Sequence, residues 1–178
     1  MPIRTRRAAR VAQFRRWLRH AMTTFGPMRR ASLNDVPQLV SMMAEFYSDS
    51  PYTLNPRRAA DAFTALLADE RLGQVWFIQS NSKDVGYVVV TLCHSMTFGG
   101  LTAIVDDFFV QPPYRGAGLG KTAMQEVRKY CADQGIRAIH VETGRDNAPA
   151  LAVYQHAGFV GTDHVHLTLG LADPTHAP

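Results

Sequence analysis

Between strand-forming residues that end at Val110 and a helical run that begins at Leu119, the chain reads Arg115-Gly116-Ala117-Gly118-Leu119-Gly120-Lys121. Glycines at this density, at a strand-to-helix junction, let the main chain turn with its N–H groups facing a concavity. The helix start adds the positive end of its dipole, so a phosphate or pyrophosphate suits the site. Spacing tests the alternatives. A dinucleotide fingerprint GxGxxG from Gly116 needs glycine at 121, where Lys121 stands; a P-loop needs glycine at 115, where Arg115 stands. The pattern Arg/Gln-x-x-Gly-x-Gly/Ala fits completely, through Arg115, Gly118 and Gly120. The plainer reading is a glycine-rich turn with no ligand.

Around this turn the hydrophobic period alternates between strand and helix. Residues 28–31 read as a short strand, and Ser32 with Asp35 resembles a capping box. Val36, Leu39, Val40, Met43, Phe46 and Tyr47 then form a helical stripe. A second helix is predicted over 57–69, strands over 75–79 and 85–93 joined as a hairpin, and a strand over 102–110. A long helix over 119–134, a strand over 138–143, a helix over 148–156 and one or two strands within 159–169 complete the chain. The pattern is mixed α/β, with antiparallel strands early and a βαβ unit late.

Charge divides the chain. No acid precedes Asp35, and residues 1–30 carry nine arginines, so the remainder sums to about −5 although the whole is +4. The pI of 9.3 belongs to a basic arm, which weakens a nucleic-acid reading of the body. Within the arm, Val11, Phe14, Trp17, Leu18, Ala21 and Met22 have helical spacing. An added helix, a disordered or over-long start, a membrane or nucleic-acid contact and a targeting segment all remain open for it. The expected division is an arm over 1–26, helical or disordered, a domain over 27–172 and a tail over 173–178. Cys93 and Cys131 belong to no ligand cluster, which excludes a zinc finger and a disulfide scaffold and suits a reducing, cytoplasmic setting. No run of 18 apolar residues offers a membrane span.

The Arg115–Gly120 pattern is the acetyl-coenzyme A signature of the GCN5-related N-acetyltransferase (GNAT) superfamily, which this sequence resembles. The likeness extends to Val110-Gln111-Pro112-Pro113-Tyr114 before it and to Asn147, Ala150, Tyr154 and Gly158-Phe159 after it. It covers residues 27–170, and 85–100 with Asp106-Asp107 look most like the bacterial HPA2-like branch. The resemblance implies a mostly antiparallel, twisted sheet of six to seven strands flanked by about four helices, beside the basic N-terminal helix. It implies acetyl-CoA as cosubstrate, with its pyrophosphate on Arg115, Gly116, Ala117, Gly118, Leu119 and Gly120 and with Lys121 close by. The pantetheine arm would pair with the strand at Phe108, Phe109 and Val110, and Asn147 would hydrogen-bond it.

By the same resemblance, Tyr154 is the general acid for the leaving thiolate, against a plainer reading as a buried helix residue. A strand carboxylate, Asp106 or Asp107, would take the amine proton through water. Strand parity favours Asp106, and a bulge would reverse that choice. Glu142, His140 and His94 read first as packed strand residues. The implied reaction is direct acetyl transfer to an amine, on a small molecule or a protein lysine or N-terminus, without metal, DNA contact or membrane span. A homodimer stays open. Tyr47, Tyr52 and the 95–100 loop are expected walls for the acceptor. The rival reading is a catalytically silent coenzyme A-binding regulator, with a P-loop phosphotransferase third.

Overall fold

The structure, a computed structural model, describes residues 28–48, 53–163, 165–169 and 171. Five strands form one sheet in sequential order: β1 (Met28–Arg30), β2 (Gly73–Ser80), β3 (Lys83–Ser95), β4 (Gly100–Val110) and β5 (Ile139–Val141). The first four pair antiparallel, and β5 runs parallel to β4. Asn81 and Ser82, at φ +49° and +61°, close the β2–β3 hairpin in the left-handed turn that suits strand twist. Among the described residues four α-helices flank the sheet: α1 (Val36–Tyr47), α2 (Pro56–Ala68), α3 (Leu119–Asp133) and α4 (Ala148–His156).

Alternation along the strands builds two cores. Val75 and Phe77 of β2, with Tyr87 and Val89 of β3, pack with Leu39 and Met42 of α1 and Phe63 of α2. Trp76 and Ile78, with Val88 and Val90, point the other way to Met124 and Val127 of α3 and Tyr154 of α4. Each fully buried large apolar side chain contributes about 1.5–3 kcal/mol. Both sheet faces therefore hold helices, and residues from α1 and α4 approach one strand, β4, from opposite layers.

Helix starts follow their sequence signals. Asn55 caps α2 by accepting from the N–H groups of Arg57 and Arg58, both at 3.1 Å, and Pro56 occupies the first helical position. The Ser32 N–H donates to Asp35 Oδ2 at 2.7 Å, as a capping box requires of its acid, ahead of α1.

Two expectations change. Among the described residues the sheet has five strands, fewer than the six to seven implied, and those of 159–169 form none. Val165, Leu167 and Leu169 do alternate with polar residues, but they are 75%, 88% and 82% exposed. Alternation supplies strand propensity, and a strand also needs a partner ladder, which the described residues of this segment lack. The basic arm, with its expected helix, lies outside the described residues, as does Tyr52.

Candidate active site at a split in the sheet

Pairing between β4 and β5 is short: Ala103 with Ile139, Ile104 with His140 and Val105 with Val141. On the other side of β4 the register with β3 slips. Val90 pairs with Val105 but Val89 pairs with Asp107, so Asp106 is an extra, bulged residue. A bulge bends its strand and interrupts the ladder. The parallel pairing ends beside it, leaving a notch between residues 106–110 of β4 and the chain that follows Val141.

The main chain facing the notch has free groups. The Gln111 N–H donates to Val85 O at 2.9 Å, which marks residues 85 and 111 as a hydrogen-bonded antiparallel pair. Alternation makes 87 with 109 the next such pair, so the N–H and C=O of Phe108 and Val110 point away from β3. Arg115 confirms the direction at Val110: its Nε donates to that carbonyl at 2.7 Å. This contact went unseen in the sequence, where Arg115 is read for its backbone. Phe109 lies differently from its neighbours. Its backbone is in the ladder, and its ring packs on Phe46 at 5.4 Å and Tyr87 at 6.1 Å, in the α1–α2 core.

Beyond Val110 a short 3-10 turn, Pro112–Tyr114, leads into the glycine-rich segment. Gly116 and Gly118 have φ of +78° and +81°, a conformation that disfavours any side chain. A Cβ at either would meet nothing within 4 Å, so the turn opens to solvent. The Thr122 N–H bonds the Gly118 carbonyl at 3.0 Å as α3 begins, and the N–H groups of Leu119, Gly120 and Lys121 ahead of it have no intrahelical acceptor. Gly120 is needed for another reason. A Cβ there would stand 3.3 Å from the Phe108 ring and 3.6 Å from Val153, so its absence lets α3 close on β4 and α4. Ala117 and Lys121 are exposed along the same rim.

Tyr154 approaches the notch from α4, with its ring 6.1 Å from Phe108 and 5.6 Å from Phe159. The residue is buried, and burial first, then the Asp107 charge, push its phenol up to about 12. Its hydroxyl makes no hydrogen bond with the described residues, and none of their buried polar side-chain atoms is unpartnered, so that oxygen reaches open space. Asn147 caps α4, accepting from the Ala150 N–H at 3.3 Å, which commits its carbonyl oxygen and leaves its amide donors.

The two aspartates part at the bulge. Asp106 is exposed, and partial desolvation with the nearby Glu142 charge raises its pKa. Asp107 turns to the α1–α2 face, where it accepts from the Tyr87 hydroxyl at 2.9 Å and from Tyr47. Burial outweighs these bonds and lifts its carboxyl to about 6. The slipped register removes the parity argument for Asp106. Tyr87 went unread because its contact with Asp107 spans 20 positions and depends on that register.

Of the other candidates, Glu142 is the one whose charge acts on Asp106. Glu142 follows β5 and pairs with His166 Nδ1 at 2.8 Å. His140 meets the Phe98 ring edge-on at 5.4 Å, and His94 is exposed beside the 95–100 loop. That loop closes the opposite end of the β3–β4 hairpin from Val110, roughly 20 Å or more from Asp107 at strand rise, too far to wall its surroundings. Among the described residues no group of three or more His, Cys, Asp or Glu could hold a metal, and no helix is long and apolar enough to cross a membrane.

The acetyltransferase (GNAT) family profile matches residues 39–159, about two thirds of the chain. This chain belongs to the GNAT family. An integron cassette protein from the mobile metagenome of Cole Harbour Salt Marsh is 42% identical, with a TM-score of 0.77 over 87% of this chain and 97% of that one. A predicted acetyltransferase from Clostridium acetobutylicum, solved with acetyl-CoA, shares the fold at 21% identity and TM-score 0.67, over 80% and 94% of the two chains. A mycothiol acetyltransferase of Arthrobacter sp. (strain FB24) is 37% identical over 36% of this GNAT chain, and the match spans about a fifth (21%) of that relative's length.

Proposed function

We propose that this protein transfers an acetyl group from acetyl-CoA directly to an amine. One observation supports the reading: Tyr154, a neutral phenol from α4, packs on Phe108, and the charge of the adjacent Asp107, held on the other face by Tyr87, acts on that phenol. An acid and a base on either side of one strand suit a reaction that protonates a leaving group and deprotonates a nucleophile.

The residues fit acetyl-CoA. The open turn at Gly116 and Gly118, with the free N–H groups of Leu119, Gly120 and Lys121, would hold the pyrophosphate. The N–H and C=O of Phe108 and the N–H of Val110 are free to pair with an extended amide-bearing arm, and the amide donors of Asn147 are available to it. The Val110 N–H can also donate to a carbonyl oxygen that gains charge. When bound, acetyl-CoA supplies a thioester whose thiol has an ordinary pKa of about 8.5.

Tyr154 stays protonated at neutral pH because its phenol lies near 12, so it is always ready to donate. An aliphatic amine, with pKa about 10.4, reaches the site mostly protonated. Asp107, lifted to about 6, is a stronger base than an ordinary carboxylate and still ionised at pH 7.5. That favours Asp107 over the exposed Asp106 as base, reached through water. The acidity of the body, with Asp106, Asp107 and Glu142 near the notch, supports a cationic acceptor.

The test is thiol release from acetyl-CoA across a panel of polyamines, aminoglycosides, amino acids and lysine peptides. Amine-dependent release with a matching acetylated product is the expected result. Coenzyme binding by calorimetry without release for any amine would replace the enzyme with a binding protein.

A further inference from the structure

Asp107 is the most enclosed carboxylate near the notch, and its hydrogen-bond partners are phenols where a cation is usual. Tyr87 reaches it from β3 and Tyr47 from the last position of α1. Tyr87 is completely buried, with its ring edge-on to Phe63 at 6.2 Å and tilted on Phe109 at 6.1 Å. A ring gripped on two sides aims its hydroxyl in one direction. Taking Asp107 as the base, we propose that Tyr87 is a positioning residue that fixes and charges this carboxylate, with Tyr47 as a second donor from the opposite element.

The choice of a phenol has a chemical logic. An arginine beside Asp107 would keep it ionised but strip its basicity, as Arg29 does to Asp35 and Asp84, both of which it lowers. Burial alone would leave it protonated at working pH. A neutral donor stabilises the ionised form moderately and leaves a usable base. Tyr87 is a permanent donor, because burial and the Asp107 charge drive its own ionisation far above neutrality. The other titratable groups acting on Asp107 are Asp106 from its own strand, which raises it, and Tyr154 from α4, which stays neutral. Behind Tyr87, α2 presents Phe63, which does not titrate.

The experiment is kcat against pH, at saturating acetyl-CoA and a working amine, for the wild type, Tyr87→Phe and Asp107→Asn. Ionisation of the amine is common to all three. Wild type should lose activity below about pH 6, the range of the Asp107 carboxyl. Tyr87→Phe keeps the ring, so it should move this limb upward by about one pH unit, with the plateau above pH 8 reduced less than about tenfold. Asp107→Asn should abolish the limb and lower kcat by about 10²-fold or more. Tyr47→Phe should shift the limb in the same direction, and it decides the matter if Tyr87→Phe fails to fold. A folded phenylalanine variant with an unmoved limb, beside an inactive Asp107→Asn, overturns the positioning role alone. Wild-type kcat and limb in Asp107→Asn would overturn Asp107 as the base and the inference with it.

Discussion

Replacing Tyr154 by phenylalanine removes one oxygen and keeps a ring that already touches Phe108 and Phe159. The hydroxyl makes no hydrogen bond within the described protein, so folding and coenzyme affinity should change little. If the oxygen serves the leaving sulfur, kcat should drop by about 10²-fold or more, and kcat/KM with it, since the contact forms only in the transition state. Steady-state kinetics of folded Tyr154→Phe would check this; a wild-type kcat removes the acid role. Residues of this kind differ in how far a sequence reveals them. Tyr154 stands in a local motif four residues before Gly158-Phe159 and is legible there. The grip of Tyr87 on Asp107, and that of Arg115 on the Val110 carbonyl, come from tertiary register and leave no local signal.

The glycine-rich turn and α3 act as one element, and their work depends on backbone shape. At Gly118, φ of +81° costs a non-glycine residue about 1–3 kcal/mol, more for a β-branched one. Because a Cβ there projects into open space, Gly118→Val should fold and yet crowd the position where phosphates approach. We expect acetyl-CoA affinity to fall at least tenfold, about 1.4 kcal/mol, and calorimetry showing unchanged affinity would take the turn out of the site. Elements with strong local signals match their expected positions: the helix over 148–156 coincides with α4, and α3 ends one residue short of the expected boundary. Less was legible in β4 and in the last segment. The bulge at Asp106 is a relation between β3 and β4, and neither sequence alone declares it. Residues 165–169 carry the alternation of a strand, and the missing ingredient is a backbone ladder.

For the whole molecule, Asp107 is a cost that the rest of the fold carries. Its folded pKa, about 6 against an unfolded value near 3.8, means that the native state holds the proton more tightly. This residue therefore subtracts nothing from stability below about pH 4, and it subtracts on the order of 3 kcal/mol once pH passes 6. Asp35 and Asp84, lowered in the folded state chiefly by Arg29 against a desolvation penalty, act oppositely, and their contribution is lost as pH falls. Urea midpoints from pH 4 to pH 7 should thus show Asp107→Asn gaining on wild type as pH rises, whatever constant offset the substitution adds. Parallel profiles would mean that Asp107 is not desolvated in the folded protein. The same economy appears in how the sheet treats its loose backbone. A free strand margin on the outside of a protein invites other strands and risks aggregation. Here the N–H and C=O of Phe108 and the N–H of Val110 line the side of β4 beyond the point where its pairing with β5 ends, at Val105 and Val141. One extended chain laid along that margin would satisfy those groups, so the loose backbone of β4 is kept as a place for a single added strand.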